Sequence, residues 1–193
     1  MTERKPTEEQ PVADADFPAH ARTGPSPSHG RSRAVKPAAV LVAWLGAFCG
    51  IAAVALMVEL MPQLQLLVIG SFGASAVLLY GAPRAPFSQP RNLVGGHLIS
   101  AAAGVACFLY LPDIQILQES IAVASAIALM MLTRTIHPPG GATALIAVIG
   151  GDTVHQLGWG YLFPVLIGAL LLLVVAVISN NLYERGSYPQ RWD

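Results

Sequence analysis

From Pro37 onward the chain consists of long uncharged runs interrupted by single charged residues. Pro37–Val58, Leu60–Pro83, Asn92–Pro112 and Thr153–Tyr183 contain no Asp, Glu, Lys or Arg. Ile114–Thr133 holds only Glu119, and Thr135–Gly151 holds only His137 as a potential cation. A hydrocarbon core of about 30 Å needs about 20 apolar residues as helix. Five of the six runs reach that length, while Ile136–Gly151, with 16 residues, spans only roughly 24 Å. Lipid cannot satisfy backbone N–H and C=O groups, so such runs must be helical. They lack the two-residue alternation of barrel strands. The pattern predicts an all-α, polytopic transmembrane helix bundle with six hydrophobic segments.

The distribution of charge sharpens this. The chain carries 11 basic and 11 acidic residues in 193, and half of these 22 charges precede Pro37. The remainder is far below the roughly 25% charge of a soluble domain. A soluble globular enzyme is thereby excluded, and so is nucleic-acid binding, because the basic residues are few and scattered. With six crossings and a cytoplasmic N-terminus, Arg31, Arg33, Lys36, Arg84, Arg91, Arg134, Arg185 and Arg191 all fall inside. No Lys or Arg then lies in the outer loops. A four-crossing alternative makes the Gly73 and Gly141 segments re-entrant and puts Arg84, Arg91 and Arg134 outside. Orientation and helical type together suggest a multi-pass protein of a cell membrane, specifically a bacterial inner membrane.

Residues 1–36 contain five prolines, mixed charge and little apolar surface. Such a segment reads as a disordered cytosolic tail, and it has no apolar core of a signal peptide. Residues 37–183 form the expected membrane domain, and 184–193 a short cytosolic C-terminal tail.

Two stretches match. Gly73-Ala-Ser-Ala-Val-Leu-Leu-Tyr-Gly81 and Gly141-Ala-Thr-Ala-Leu-Ile-Ala-Val-Ile-Gly150 share a glycine, an alanine, a hydroxyl residue, an alanine and an apolar run ending in glycine. The chain divides near Pro112 into two halves of three segments, readable as inverted repeats with a site where they meet. The alternative is that Gly-Ala-Ser and Gly-Ala-Thr are commonplace in membrane helices. Small residues four apart (Gly46 and Gly50; Gly96, Ser100 and Gly104; Gly160, Pro164 and Gly168) allow close helix approach. Their first reading is packing within the bundle, and the second is a homo-oligomer interface.

The densest feature is Arg134-Thr-Ile-His-Pro-Pro-Gly-Gly-Ala-Thr-Ala-Leu145. Paired prolines stop one helix and suit the first turn of the next. Gly140 and Gly141 remove side chains there. A helix start with free N–H groups is an anion site, and His137, roughly 21 Å from Gly151 along the segment, is a titratable group inside the membrane.

This stretch resembles the HPP family of integral membrane proteins, named for the His-Pro-Pro found here at 137–139. Ser71-Phe-Gly-Ala-Ser-Ala76 and Gln89-Pro-Arg-Asn92 with Gly95, Gly96 and His97 resemble the same family. The resemblance covers about Pro37–Tyr183. It implies four transmembrane helices rather than six, and it associates the chain with nitrite transport, as in plastid and cyanobacterial relatives. The expected function is a transporter or channel for a small anion. The alternative is a membrane-anchored scaffold or sensor that leans on the N-terminal tail.

The expected site lies at N-terminal helix ends starting near Gly73 and Gly141. Its candidate residues are His137, Gly140, Gly141, Thr143, Arg134, Ser71, Gly73, Ser75, His97 and Arg91. Arg134 and Arg91 draw anions or simply anchor topology. His137 and His97 serve the solute or pack as satisfied core histidines. Asn92 reads as a helix cap, and Trp159, Tyr161, Tyr183 and Trp192 as interfacial aromatics. No metal, phosphate-loop or nucleophile-elbow spacing occurs, so no cofactor, metal or catalytic residue is expected. The partners are the lipid bilayer and the small anion.

Overall fold

The computed structural model describes residues 36–60 and 68–191; the expected N-terminal tail and Trp192 lie outside them. Every regular element among the described residues is helical. They are α1 (Pro37–Leu60), α2 (Val68–Ala76, continued by a π-helical turn Val77–Gly81), α3 (Pro90–Tyr110), α4 (Gln115–Leu132), α5 (Pro139–Ile149), the short α6 (Gly151–His155) and α7 (Leu162–Tyr183). Short 3-10 turns cover Pro86–Ser88 and Gly158–Tyr161. Proline opens α3 and α5, where a missing N–H costs nothing.

Four helical stretches are long and apolar enough to cross a membrane: Pro37–Leu60, Pro90–Tyr110, Gln115–Leu132 and Gly158–Tyr183. The five full-length segments expected become four among the described residues, and the segment expected to be short is α5. The stretch 68–81 reaches about 21 Å and α5 about 17 Å at 1.5 Å per residue. Pro138 and Pro139 cause the second shortfall, because residues 135–137 before them are not helical.

The chain nevertheless alternates direction from one segment to the next, with five reversals joining the six. In α1, Gly46 lies against Ser179 and Gly50 against Leu172, so α1 and α7 are antiparallel. In α3, Gly96 lies against His137 and Gly104 against Ala144 and Ala147, so α3 and α5 run the same way. The π turn after α2 brings Tyr80 beside Gly46 and Gly50 and lets its hydroxyl donate to the Leu172 carbonyl at 3.1 Å. Ala39, Val40, Gly81, Arg84 and Glu184 line one groove, so α1 begins at the end where α2 and α7 finish.

That end also carries the Arg84–Glu184 ion pair at 2.6 Å and the bond from the Arg91 guanidinium to the Thr133 carbonyl at 2.8 Å. At the opposite end His155 stacks on Phe108, its Nε2–H donates to the Val148 carbonyl, and the Trp159 indole donates to the Tyr110 hydroxyl. Arg84 and Arg91 thus share an end with the start of α1, which is the distribution of the six-segment reading. A re-entrant α2 would have returned to the end where α1 finishes.

The rows of small residues make contacts within the chain. Side chains added at Gly46, Gly50, Gly96, Gly104 or Gly168 would strike Tyr80, His137, Ala144 or Phe72. Tyr161, expected at an interface, is buried, and its hydroxyl donates to the Thr143 carbonyl at 3.2 Å. Residues 184–191 fold back over the loop before α3. The Tyr188 hydroxyl donates to the Ser88 carbonyl at 2.7 Å, and Gln89 Oε1 accepts from the Gln190 N–H at 2.8 Å.

Candidate functional site

Three elements meet where α5 begins. Ser75 comes from α2, His97 from the second turn of α3, and His137 from the non-helical segment that rises alongside α3 before the proline pair. All three are fully buried, as is Thr143 in α5. The rings of His97 and His137 lie 4.9 Å apart at 59°, and Phe72 meets His97 edge-on at 5.1 Å. Ser75 Oγ is 2.8 Å from His97 Nε2 and 2.8 Å from His137 Nε2. Thr143 Oγ1 is 2.7 Å from His97 Nδ1, and the Phe87 carbonyl is 2.8 Å from His137 Nδ1.

The chemistry of the partners orders these bonds. A carbonyl only accepts, so His137 carries its hydrogen on Nδ1. In an uncharged ring Nε2 must then accept, and the Ser75 hydroxyl donates to it. Ser75 has one hydrogen, so His97 Nε2–H donates to Ser75. His97 Nδ1 is thereby an acceptor for the Thr143 hydroxyl. One consistent direction runs Thr143, His97, Ser75, His137, Phe87. Two longer contacts compete with it. The Ser75 hydroxyl also lies 3.2 Å from the Ser71 carbonyl, and the Thr143 hydroxyl 3.4 Å from that of Pro139.

The matched words of the two halves converge on a single ring. Ser75 of Gly-Ala-Ser and Thr143 of Gly-Ala-Thr hold the two nitrogens of His97.

The helix-tip expectation is corrected in two respects. Gly73 is the sixth residue of α2 and does not begin a helix. A side chain there would meet nothing within 4 Å, so this glycine marks no close approach. α5 does begin at Pro139, just before Gly141, but neither glycine N–H of its first turn is free. Pro138 and Pro139 lack N–H groups. The Gly140 N–H donates to the His137 carbonyl at 2.8 Å and the Gly141 N–H to the Pro138 carbonyl at 3.1 Å. The tip is also packed: a Cβ at Gly140 would lie 2.7 Å from Ser100 Oγ and 3.0 Å from the Gly96 carbonyl.

Of the remaining candidates, Ser71 is buried one turn from Ser75, and Gly141 is half-buried with Val123 as its near neighbour. Arg91 and Arg134 are exposed outside the cluster. Among the described residues the buried polar set contains no Asp, Glu, Lys or Arg, and no group of three metal-binding side chains occurs.

The comparisons agree with the residues. The family model for the HPP transmembrane region matches residues 32–189. The chain belongs to the HPP transmembrane family. Two transmembrane proteins of Dictyostelium discoideum are similar to this HPP chain. One is 44% identical over 158 residues, covering 77% of this chain and 54% of the relative; the other is 42% identical over 155 residues, covering 77% and 50%. The chain spans about half the length of these relatives. Both come from a eukaryote, so the likeness does not assign this multi-pass protein to a bacterial membrane. No solved structure matches the chain.

Sequence reasoning missed three participants in this HPP site. The Phe87 carbonyl has no side-chain signal. Asn92 does not cap α3; its amide donates to the Ile136 carbonyl at 2.8 Å and holds the segment carrying His137. Ser100 Oγ is buried without a partner beside Gly140. The row Gly96, Ser100, Gly104 pointed to Ser100 as a packing residue, and nothing in it signalled an unmatched hydroxyl.

Proposed function

We propose that this HPP protein is a membrane transport protein for a small monovalent anion, with nitrite the first substrate to test, and that the cluster of Ser75, His97, His137 and Thr143 is its solute site. The observation that carries the reading is the pair of fully buried imidazoles joined through one serine inside a membrane bundle. Titratable side chains at such depth mark solute and proton pathways. The anion is bound by ring N–H and hydroxyl donors, not by the tip of α5. Tight packing at Gly96 and Gly140 makes the described conformation an occluded one, in which the donors satisfy each other until the bundle opens. Arg91 and Arg134 raise the local anion concentration at one end. By the excess of Lys and Arg that end is cytoplasmic. The solute is moved without chemical conversion.

The test is uptake into proteoliposomes of nitrite, nitrate, formate and chloride, each corrected for protein-free vesicles. Nitrite uptake is expected to exceed the correction and to fall about tenfold or more in His137→Ala, the loss of roughly 1.4 kcal/mol or more. An unchanged rate and pH profile in His137→Ala removes the cluster from the mechanism. Absence of uptake of all four anions sinks the transport reading.

A further inference from the structure

The ordered hydrogen bonds have a consequence beyond solute binding. We infer that Thr143, His97, Ser75 and His137 form a proton relay that loads one proton onto His137, so that the anion moves together with a proton. This rests on the transport reading above and specifies its coupling.

In the uncharged state each hydrogen points the same way along the chain, toward the Phe87 carbonyl. When the site opens, Thr143 Oγ1 takes a proton from a hydronium ion, which leaves as water, and passes its own to His97 Nδ1. His97 releases its Nε2 proton to Ser75 Oγ, and Ser75 passes its own to His137 Nε2. Four N–H or O–H bonds form and four break, the fourth being the O–H of the hydronium that delivers the proton. His97 and Ser75 end uncharged, and the single positive charge resides on His137. Each hop between the relay side chains crosses a separation of 2.7–2.8 Å, so these four side chains need not shift relative to one another for the proton to pass.

The relay then stops. His137 Nδ1–H faces the Phe87 carbonyl, an amide oxygen that accepts a hydrogen bond but is far too weak a base to take the proton. The charge is held, not passed on. Among the described residues, no carboxylate is buried to neutralise it. The side chains on the pair are Phe72 and Ser75 from α2 and Thr143 from α5, with the Ser71 carbonyl on Ser75 and the Tyr161 hydroxyl on the Thr143 carbonyl behind them; Ser100 and Met130 lie next to Gly140. None of these balances a cation. An unbalanced buried charge is strongly unfavourable, and a monovalent anion entering beside His137 removes that penalty. Loading the proton and binding the anion therefore favour each other, the reciprocity that coupling requires.

Loop 82–89 fixes the direction of the relay. Its Ser88 hydroxyl donates to the Leu78 and Ala82 carbonyls, its Gln89 amide donates to the Pro83 and Ala85 carbonyls, and Tyr188 holds the Ser88 carbonyl from outside. These bonds keep the Phe87 carbonyl where it dictates which nitrogen of His137 carries hydrogen.

Two measurements test the relay. Nitrogen-15 spectra of histidine-labelled protein in liposomes at alkaline pH, assigned with His97→Asn and His137→Asn, should show hydrogen on Nε2 of His97 and on Nδ1 of His137. The reverse assignment at either ring overturns the relay, whether or not any anion is transported. In proteoliposomes, an inward pH gradient should drive nitrite above its equilibrium level, with one proton entering per anion. Ser75→Ala should slow this driven uptake about a hundredfold or more, the size of a lost acid–base step, and Ser75→Thr should restore it. Nitrite flux without accompanying protons overturns the relay and leaves the transporter standing. No flux in the wild type defeats the transport reading itself, and the ring assignment then still decides the hydrogen-bond order. If Ser75→Ala does not fold, proton-coupled uptake by Ser75→Thr supports the relay and uncoupled uptake by it counts against it.

Discussion

The two short helices, α2 and α5, carry nearly the same words and put them to different uses. In α5 the Gly-Ala-Thr-Ala sequence follows a proline break, so Gly141 is the third residue of its helix. In α2 the Gly-Ala-Ser-Ala sequence lies inside a continuous helix whose break comes afterwards, as the π turn Val77–Gly81. π turns are rare and tend to occur at functional positions. One half is therefore irregular before its hydroxyl residue and the other half after it. Both arrangements deliver the hydroxyl to the same imidazole. The likeness lies in where Ser75 and Thr143 end up, and the difference lies in which glycines have to be glycine.

The largest expected effect separates those glycines. Gly140 sits where an added Cβ would meet Ser100, the Gly96 carbonyl and Met130 at 2.7–3.1 Å. Gly140→Val should cost about 3 kcal/mol or more, as severe overpacking does, and read out as lost folded yield and a lowered thermal midpoint in lipid. Gly73 has nothing within 4 Å, so Gly73→Ala should be neutral or stabilising by about 0.5–1 kcal/mol, because alanine is the better helix residue. Equal damage from both substitutions would mean that the two glycines do the same job after all.

The middle effect separates the two hydroxyls. Ser75 bonds two imidazole nitrogens at 2.8 Å, whereas Thr143 bonds one at 2.7 Å. Ser75→Ala strands two buried groups and Thr143→Val only one. A stranded buried polar group costs about 1–3 kcal/mol, and interhelical bonds in membranes lie toward the low end of such values. Ser75→Ala should therefore lower stability about twice as much as Thr143→Val. Equal losses would indicate that one of the Ser75 contacts contributes nothing.

This ranking also explains what the sequence could and could not reveal. The bundle was legible because charge is nearly absent from the long runs, and few folds tolerate that. His137, His97, Ser75 and Thr143 stood out because polar groups are expensive in apolar surroundings. The free helix tip was misread for a local reason: the proline pair that starts α5 also removes two donors, and the two glycine N–H groups turn back onto the His137 and Pro138 carbonyls. Gly73 was misplaced because similar words were assumed to take similar positions in their helices. Phe87 was invisible, since its contribution is a carbonyl that every residue possesses. Its importance comes from loop 82–89, whose bonds to residues about a hundred positions away leave no periodic trace in the sequence.

The smallest expected effects lie at the end of the bundle, where each short helix has an arginine nearby. Arg84, just after the π turn, pairs with Glu184 at 2.6 Å, but the two side chains are 62% and 58% exposed. Such a pair is worth about 0–1 kcal/mol and is screened by salt, so Arg84→Gln should shift the thermal midpoint little, and less still in high salt. Arg134, in the segment leading to α5, adopts φ 57°, a left-handed conformation that disfavours a side chain by roughly 1 kcal/mol. Arg134→Gly should therefore stabilise the fold slightly. If the arginine also draws anions toward the site, the same substitution should slow nitrite uptake at low ionic strength and approach the wild-type rate as salt screens the field. A more stable and equally active Arg134→Gly protein would show that the arginine only terminates α4, and the steering role would then rest on Arg91 alone.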